Sequence, residues 1–241
     1  MTFSDLWQEQ AVPELWITGI AAVVALVLVL YGPAWRLARN VVTIAHEGGH
    51  AVIALATGRK LDGIRLHSDT SGVTVSRGRP DGAGMVFTAL AGYTAPPLLG
   101  LLFAWLLGMG RITLMLWFAL ALLAAMLVMI RNVFGVVSVV TTGAIVFAVS
   151  WFGSAEIQGA FAAFGASFLL FAGVRPVIEL QRLRARRQAP SSDADQLAHL
   201  TGVPGLVWVF FFGFVAVAAL AVGGGLLMPP DVALPFGDGG A

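Results

Sequence analysis

Runs of about twenty mainly apolar residues, at 14–31, 85–107, 112–130, 133–151, 160–179 and 203–228, constrain this chain more than any other feature. That is the length an α-helix needs to cross the ~30 Å hydrocarbon core of a bilayer. In lipid the backbone must satisfy its own hydrogen bonds, so a spanning segment is a helix or part of a closed barrel. A shorter apolar helix is expected over 41–57, after a polar stretch "PAWRLARN" that reads as a connecting loop. The expected fold is an all-α polytopic membrane protein with about six to seven transmembrane helices. It forms a single integral membrane domain over residues 1–241. Composition agrees: 11% of residues are charged, against about 25% in soluble domains.

Residues 58–84 are the one long polar insertion in the first half. Within it "IRLH" and "VTVS" are β-prone and flank the turn cluster "SDTSG", which predicts a small β-hairpin. A free strand edge there would bind an extended peptide by main-chain pairing; a plain surface hairpin gives the same pattern.

Arginine placement gives an orientation. The 36–39 and 182–187 stretches are basic and are expected on the cytoplasmic side. The termini carry no Lys or Arg and are expected outside. The N-terminus also lacks the basic start of a signal peptide, so the first run is expected to be a retained span. Arg59, Lys60, Arg65, Arg77 and Arg79 draw the 58–84 insertion inside as well. Both flanks of the 41–57 helix then lie inside, so it either crosses against the rule or is re-entrant.

The 41–57 helix contains "TIAHEGGHAVIALA", residues 43–56. Ionisable groups at membrane depth are costly and mark function. His46 and His50 are four apart and share one helix face, a turn apart. Glu47 lies about 100° round from His46, beside a shared ion rather than on it. This is H-E-x-x-H, with histidines as zinc ligands and glutamate as general base. A histidine–glutamate packing network would place the same groups together. The chain has no cysteine, so a metal must be held by His, Asp or Glu, and only His46, His50, His67 and His199 are available as histidines. A net charge of +1 gives no basic surface for nucleic acid.

With these motifs in view, the chain resembles the site-2 protease family of intramembrane zinc metalloproteases, in particular the bacterial peptidase M50B-like branch. "HEGGH" matches the family's H-E-x-G-H; "GIRLHSDTSGVTVSRG" (63–78) resembles the hairpin that follows it. "AGYTAPPLLG" (91–100), "RNVFG" (131–135) and "SDADQLAHLTGVPGLVW" (192–208) resemble later core segments. The resemblance implies zinc held by His46 and His50, catalysis by Glu47, a transmembrane protein as substrate and residence in the bacterial cytoplasmic membrane. A non-proteolytic membrane scaffold or binding protein descended from such a protease is the alternative.

The family's third ligand is the aspartate of an L-D-G motif, and the corresponding "NVFGVVSVVTTGAIVF" has no carboxylate. Either another residue replaces it or the site is degenerate. Asp193, Asp195 and His199 are the candidates, with Asp193 taken as the metal ligand. Against them, Ser192 and Asp195 form an S-x-x-D helix cap. Asn132 would orient substrate or a ligand, or make a turn or interhelical contact. His67 reads as a polar hairpin residue. Arg175 and Glu179, four apart near a helix end, read as a snorkelling pair.

Overall fold

The computed structural model describes residues 6–188 and 191–228. In chain order the elements are α1 (Leu15–Leu30), α2 (Gly32–Ala56), β1 (Lys60–Leu66), β2 (Gly72–Arg77), α3 (Ala83–Gly108), α4 (Ile112–Met129), α5 (Val133–Phe152), α6 (Ala155–Ala185), α7 (Asp193–Thr201) and α8 (Gly205–Leu226). Five of these, α3, α4, α5, α6 and α8, are each long and apolar enough to cross a membrane. Counted as one span, the bent pair α1 and α2 brings the number to six.

The stretch 32–40 is not a loop. It is the first part of α2, which meets α1 at a 103° bend. Pro33 explains both facts. It lacks an N–H and its ring would strike the carbonyl of Val29 in a continuous helix, yet it is well suited to the first turn of a new one. The Val29 carbonyl so released accepts a hydrogen bond from the Arg175 guanidinium of α6. Arg175 also lies 4.8 Å over the Trp35 ring and pairs with Glu179 at 2.9 Å. Glu179 accepts from the Trp35 indole at 3.0 Å and faces Arg39 at 3.4 Å. Arg175 and Glu179 are therefore not a snorkelling pair. They tie α6 to the bend, because the broken helix end leaves a carbonyl that lipid cannot satisfy.

Contacts along the chain assign each segment to an end of the bundle. At one end, Gln10 donates to the Gly110 carbonyl at 2.9 Å. A Cβ on Gly108 would come within 3.2 Å of the Leu226 carbonyl. The start of α1 and the finish of α8 thus share that end. At the other end, Thr57 lies against Gly84 and Arg131 donates to the Ile64 carbonyl at 2.9 Å. The α2 helix leaves the bend beside Glu179, in the last turns of α6, and finishes beside Gly84, at the start of α3. Both its ends lie in the same half of the bundle. Arg39, the hairpin arginines and Arg182 and Arg184 in the last turn of α6 are then gathered in that half.

The centre is built by α3 against α6. A Cβ on Gly173 would meet the Pro97 ring at 2.7 Å, and one on Gly100 would meet the Leu170 backbone at 2.8 Å. Small residues let these backbones touch, as membrane helices require in the absence of a hydrophobic drive between them. The hairpin pairs Ile64 with Thr74 and Leu66 with Gly72. Asn132, at the N-terminus of α5, clamps β1: its Oδ1 accepts from the Leu66 N–H at 3.1 Å and its Nδ2 donates to the Leu66 carbonyl at 2.7 Å. With Ile64 also bridged to Ile130, the inner edge of β1 is occupied, and β2 is the outer strand.

Candidate metal centre

His46 and His50 project from one face of α2, as their spacing requires, with their Nε2 atoms 3.2 Å apart. The α7 helix brings Asp193 to them: its Oδ2 is 3.3 Å from His46 Nε2 and 3.4 Å from His50 Nε2. Donors about 2.0–2.1 Å from a tetrahedral ion sit roughly 3.3–3.4 Å from one another. The three side chains thus form one face of such a tetrahedron, and they could hold a metal ion. Asp193 Oδ2 is buried against the two imidazole nitrogens, with no other hydrogen-bond donor on it among the described residues. Burial alone would raise the Asp193 pKa, but the two imidazoles outweigh it and hold the carboxyl well below its ordinary range.

The surroundings fix each donor. His50 Nδ1 is 2.7 Å from the Thr88 carbonyl of α3. A carbonyl cannot donate, so Nδ1 carries a proton, and Nε2 is the nitrogen left facing Asp193, where a metal would sit. His46 packs edge-on against Tyr93 at 4.8 Å, and Tyr93 stacks on the fully buried Phe212 of α8. Gly49 lets α2 reach α3, since a Cβ there would lie 2.4 Å from that of Ala95 and 2.8 Å from the Ala91 carbonyl. Gly48 has no such role, for a Cβ there would meet nothing within 4 Å. Gly92 closes the site: a Cβ on it would lie 2.5 Å from His50 Nε2 and 2.6 Å from both His46 Nε2 and Asp193 Oδ2.

Asp193 owes its placement to the cap beside it. Ser192 caps α7, accepting from the Asp195 N–H at 3.4 Å and donating to Asp195 Oδ2 at 2.6 Å. Asp195 also pairs with Arg184 of α6, which donates to Ser192 Oγ at 3.2 Å. Burial raises the Asp195 pKa, and Ser192 and Arg184 more than reverse it. Two helix residues two apart point about 200° away from each other. With Asp195 turned back on the cap, Asp193 faces the histidines. His199 lies exposed on the last turn of α7 and His67 contacts Ser71 in the hairpin turn; neither joins the group. Asn132 is a clamp on the hairpin rather than part of the group.

Glu47 is 4% exposed and turns away from the ion-binding face toward the hairpin. Thr74 of β2 donates to Glu47 Oε2 at 2.6 Å. A Cβ on Gly72 would overlap the Glu47 carboxyl, 2.6 Å from Oε1, so only glycine fits where β2 crosses it. Thr43 ties the hairpin turn to α2, donating to the Thr70 carbonyl at 2.8 Å. Gly92, Thr88, Gly72, Thr74 and Arg184 are not singled out as site residues by the sequence, although all but Thr88 lie within motifs or basic stretches it marks. Each acquires its role from a neighbour distant along the chain.

The family model described as Peptidase M50B-like matches residues 19–223. No curated protein and no solved structure is significantly similar to the chain.

Proposed function

The chain belongs to the peptidase M50B-like family, and from that premise we propose that it is an intramembrane zinc endopeptidase acting on transmembrane proteins. One observation carries this reading. Three donor atoms stand at the edge length of a tetrahedral zinc site, with a buried carboxylate on the next residue of the same helix. Asp193 supplies the carboxylate that the third core helix lacks, so the absence of L-D-G does not leave the site short of a ligand. Two nitrogens and one oxygen suit zinc, or ferrous iron in redox enzymes. The adjacent Glu47 and the family favour hydrolysis, and so zinc.

Zinc bound by His46, His50 and Asp193 would polarise the scissile carbonyl and bring the pKa of a bound water to about 7. Glu47 accepts the proton of the attacking water and returns it to the leaving amide nitrogen. Thr74 holds the Glu47 carboxyl by Oε2, and Oε1, beside Gly72, accepts no hydrogen bond from the described residues; a turn of the side chain about its own bonds brings it to the water. The hairpin offers the outer edge of β2 to an unwound substrate, with Val73 and Val75 exposed on its outward face. We place the protein in the bacterial cytoplasmic membrane with the α2 half of the bundle toward the cytoplasm, because the arginines gather there.

Metal analysis of purified variants tests the ligand set. Wild type should carry about one zinc per chain. Asp193→Ala should lose it, whereas Asp195→Ala, which loosens the cap but leaves all three donors in place, should bind zinc more weakly without losing it. Wild-type zinc affinity in Asp193→Ala would remove Asp193 from the site.

A further inference from the structure

Behind the metal-site helix, α2, α3, α4, α5 and α6 line a half-open cleft of about 690 Å³. Gly48 and Val52 of α2, Leu98 of α3, Ala119 of α4, Ile145 of α5 and Gly165 of α6 are on its walls. Val52, Leu98 and Ile145 are each about half exposed, so no side chain fills the space. Its polar side chains are Thr94 and Thr142, and each hydroxyl donates to the carbonyl four residues back in its own helix, at 2.9 and 2.8 Å.

The cleft is open to the bilayer on its exposed side, and leaving it empty there would cost more than the folding stability of an ordinary domain. Something therefore fills it in the bilayer. Water is a poor occupant, because it needs about 2–4 polar partners and the walls present none. An extended peptide fails for the same reason, since its N–H and C=O groups would be left unpaired. A helix satisfies its own backbone but is too wide. At ~10 Å across and ~1.5 Å per residue, 690 Å³ holds only about six residues of it, whereas a span must cover ~30 Å. A chain one methylene wide meets every condition. We propose that the cavity is a binding site for a hydrocarbon chain of a bilayer lipid.

The chain lies against the face of α2 that points away from the metal. A Cβ on Gly48 would touch no protein atom within 4 Å, so at that point the lipid is the neighbour of the motif helix. The inference stands apart from the zinc reading, because no metal ligand lines the cavity.

The test is photolabelling in vesicles of phosphatidylglycerol that carry a diazirine on one acyl chain, with labelled positions mapped by mass spectrometry. The wall positions Leu98, Ala119 and Ile145 should be labelled, and that label should survive repeated detergent washing before photolysis. The outward Phe210 and Phe214 of α8 should lose theirs on washing. The filling variants Gly165→Leu and Ala119→Phe should each lower wall labelling while leaving the unwashed label on α8 and the zinc content unchanged. Label confined to outward positions in the unsubstituted protein would overturn the proposal, whether or not the variants fold. Wall labelling instead by a transmembrane peptide carrying a photoreactive leucine, at the expense of the lipid, would overturn it too.

Discussion

Replacing Gly92 by alanine adds one methyl group to α3 and should abolish tight metal binding. The three donor atoms form a triangle 3.2–3.4 Å on a side. An ion about 2.0–2.1 Å from each lies roughly 0.8 Å off that plane. The new Cβ, 2.5–2.6 Å from each donor, lies on the same axis about 1.7 Å off the plane. On either face it stands within about 2.5 Å of the ion, far inside the ~3.5–4.0 Å of ordinary carbon contact. Withdrawing α3 would in turn open the close packing of α2 on α3 at Gly49, where a Cβ would have room neither beside Ala95 nor beside the Ala91 carbonyl. Disturbing an outer-shell partner costs about 10–100-fold in metal affinity, so displacing the donors themselves should cost at least about 100-fold, or ~2.7 kcal/mol. Helix propensity works the other way, because alanine is favoured over glycine by about 1 kcal/mol. A chelator-competition titration in detergent measures the affinity. Thermal unfolding with and without chelator gives the control: wild type should lose stability on chelation and Gly92→Ala should not respond. Wild-type zinc affinity in a folded Gly92→Ala protein would refute the placement of Gly92 against the donors.

Arg184→Ala should lower zinc affinity about 10–100-fold although Arg184 is not a ligand, because it anchors the cap that aims Asp193; Arg184→Lys should recover part of the loss, and an unchanged chelator titration would detach the cap from the site. Thr74→Val keeps the shape of β2 but removes the donor to Glu47, so kcat for a transmembrane substrate should fall about tenfold with KM and zinc content unchanged, and Thr74→Ser should restore it. Single cysteines introduced at residues 59 and 185, in a chain that has none of its own, should be closed to an impermeant thiol reagent in intact cells and open in inverted vesicles; labelling of either from outside would reverse the orientation.

The crossing helices were legible because the bilayer imposes a length that apolar runs must meet, and the ends of α4 and α5 fall within a residue of the apolar limits. The hairpin was legible because β-prone runs flank a cluster of turn formers, and H-E-x-x-H because its chemistry is local to one helix turn. The start of α2 was not. A proline after a glycine reads as a break, and only the bend shows that the same proline opens the next helix. The arginine pattern left the 41–57 helix either crossing against the rule or re-entrant, and the bend that sets its path could not be read from it, since that bend is tied by Arg175 meeting Val29 from 146 residues away. Asp193 and Asp195 competed for one role in the sequence. In the structure they hold two, and the cap that counted against both is what turns Asp193 toward the histidines.

Glu47→Gln tests the central claim most directly, because glutamine keeps the size of the side chain and its bond to Thr74 but cannot take a proton. Cleavage of a co-reconstituted transmembrane substrate should fall by about 10²–10⁴-fold, with zinc content and thermal stability unchanged on the same samples. Equal cleavage by wild type and Glu47→Gln, with zinc bound in both, would contradict it.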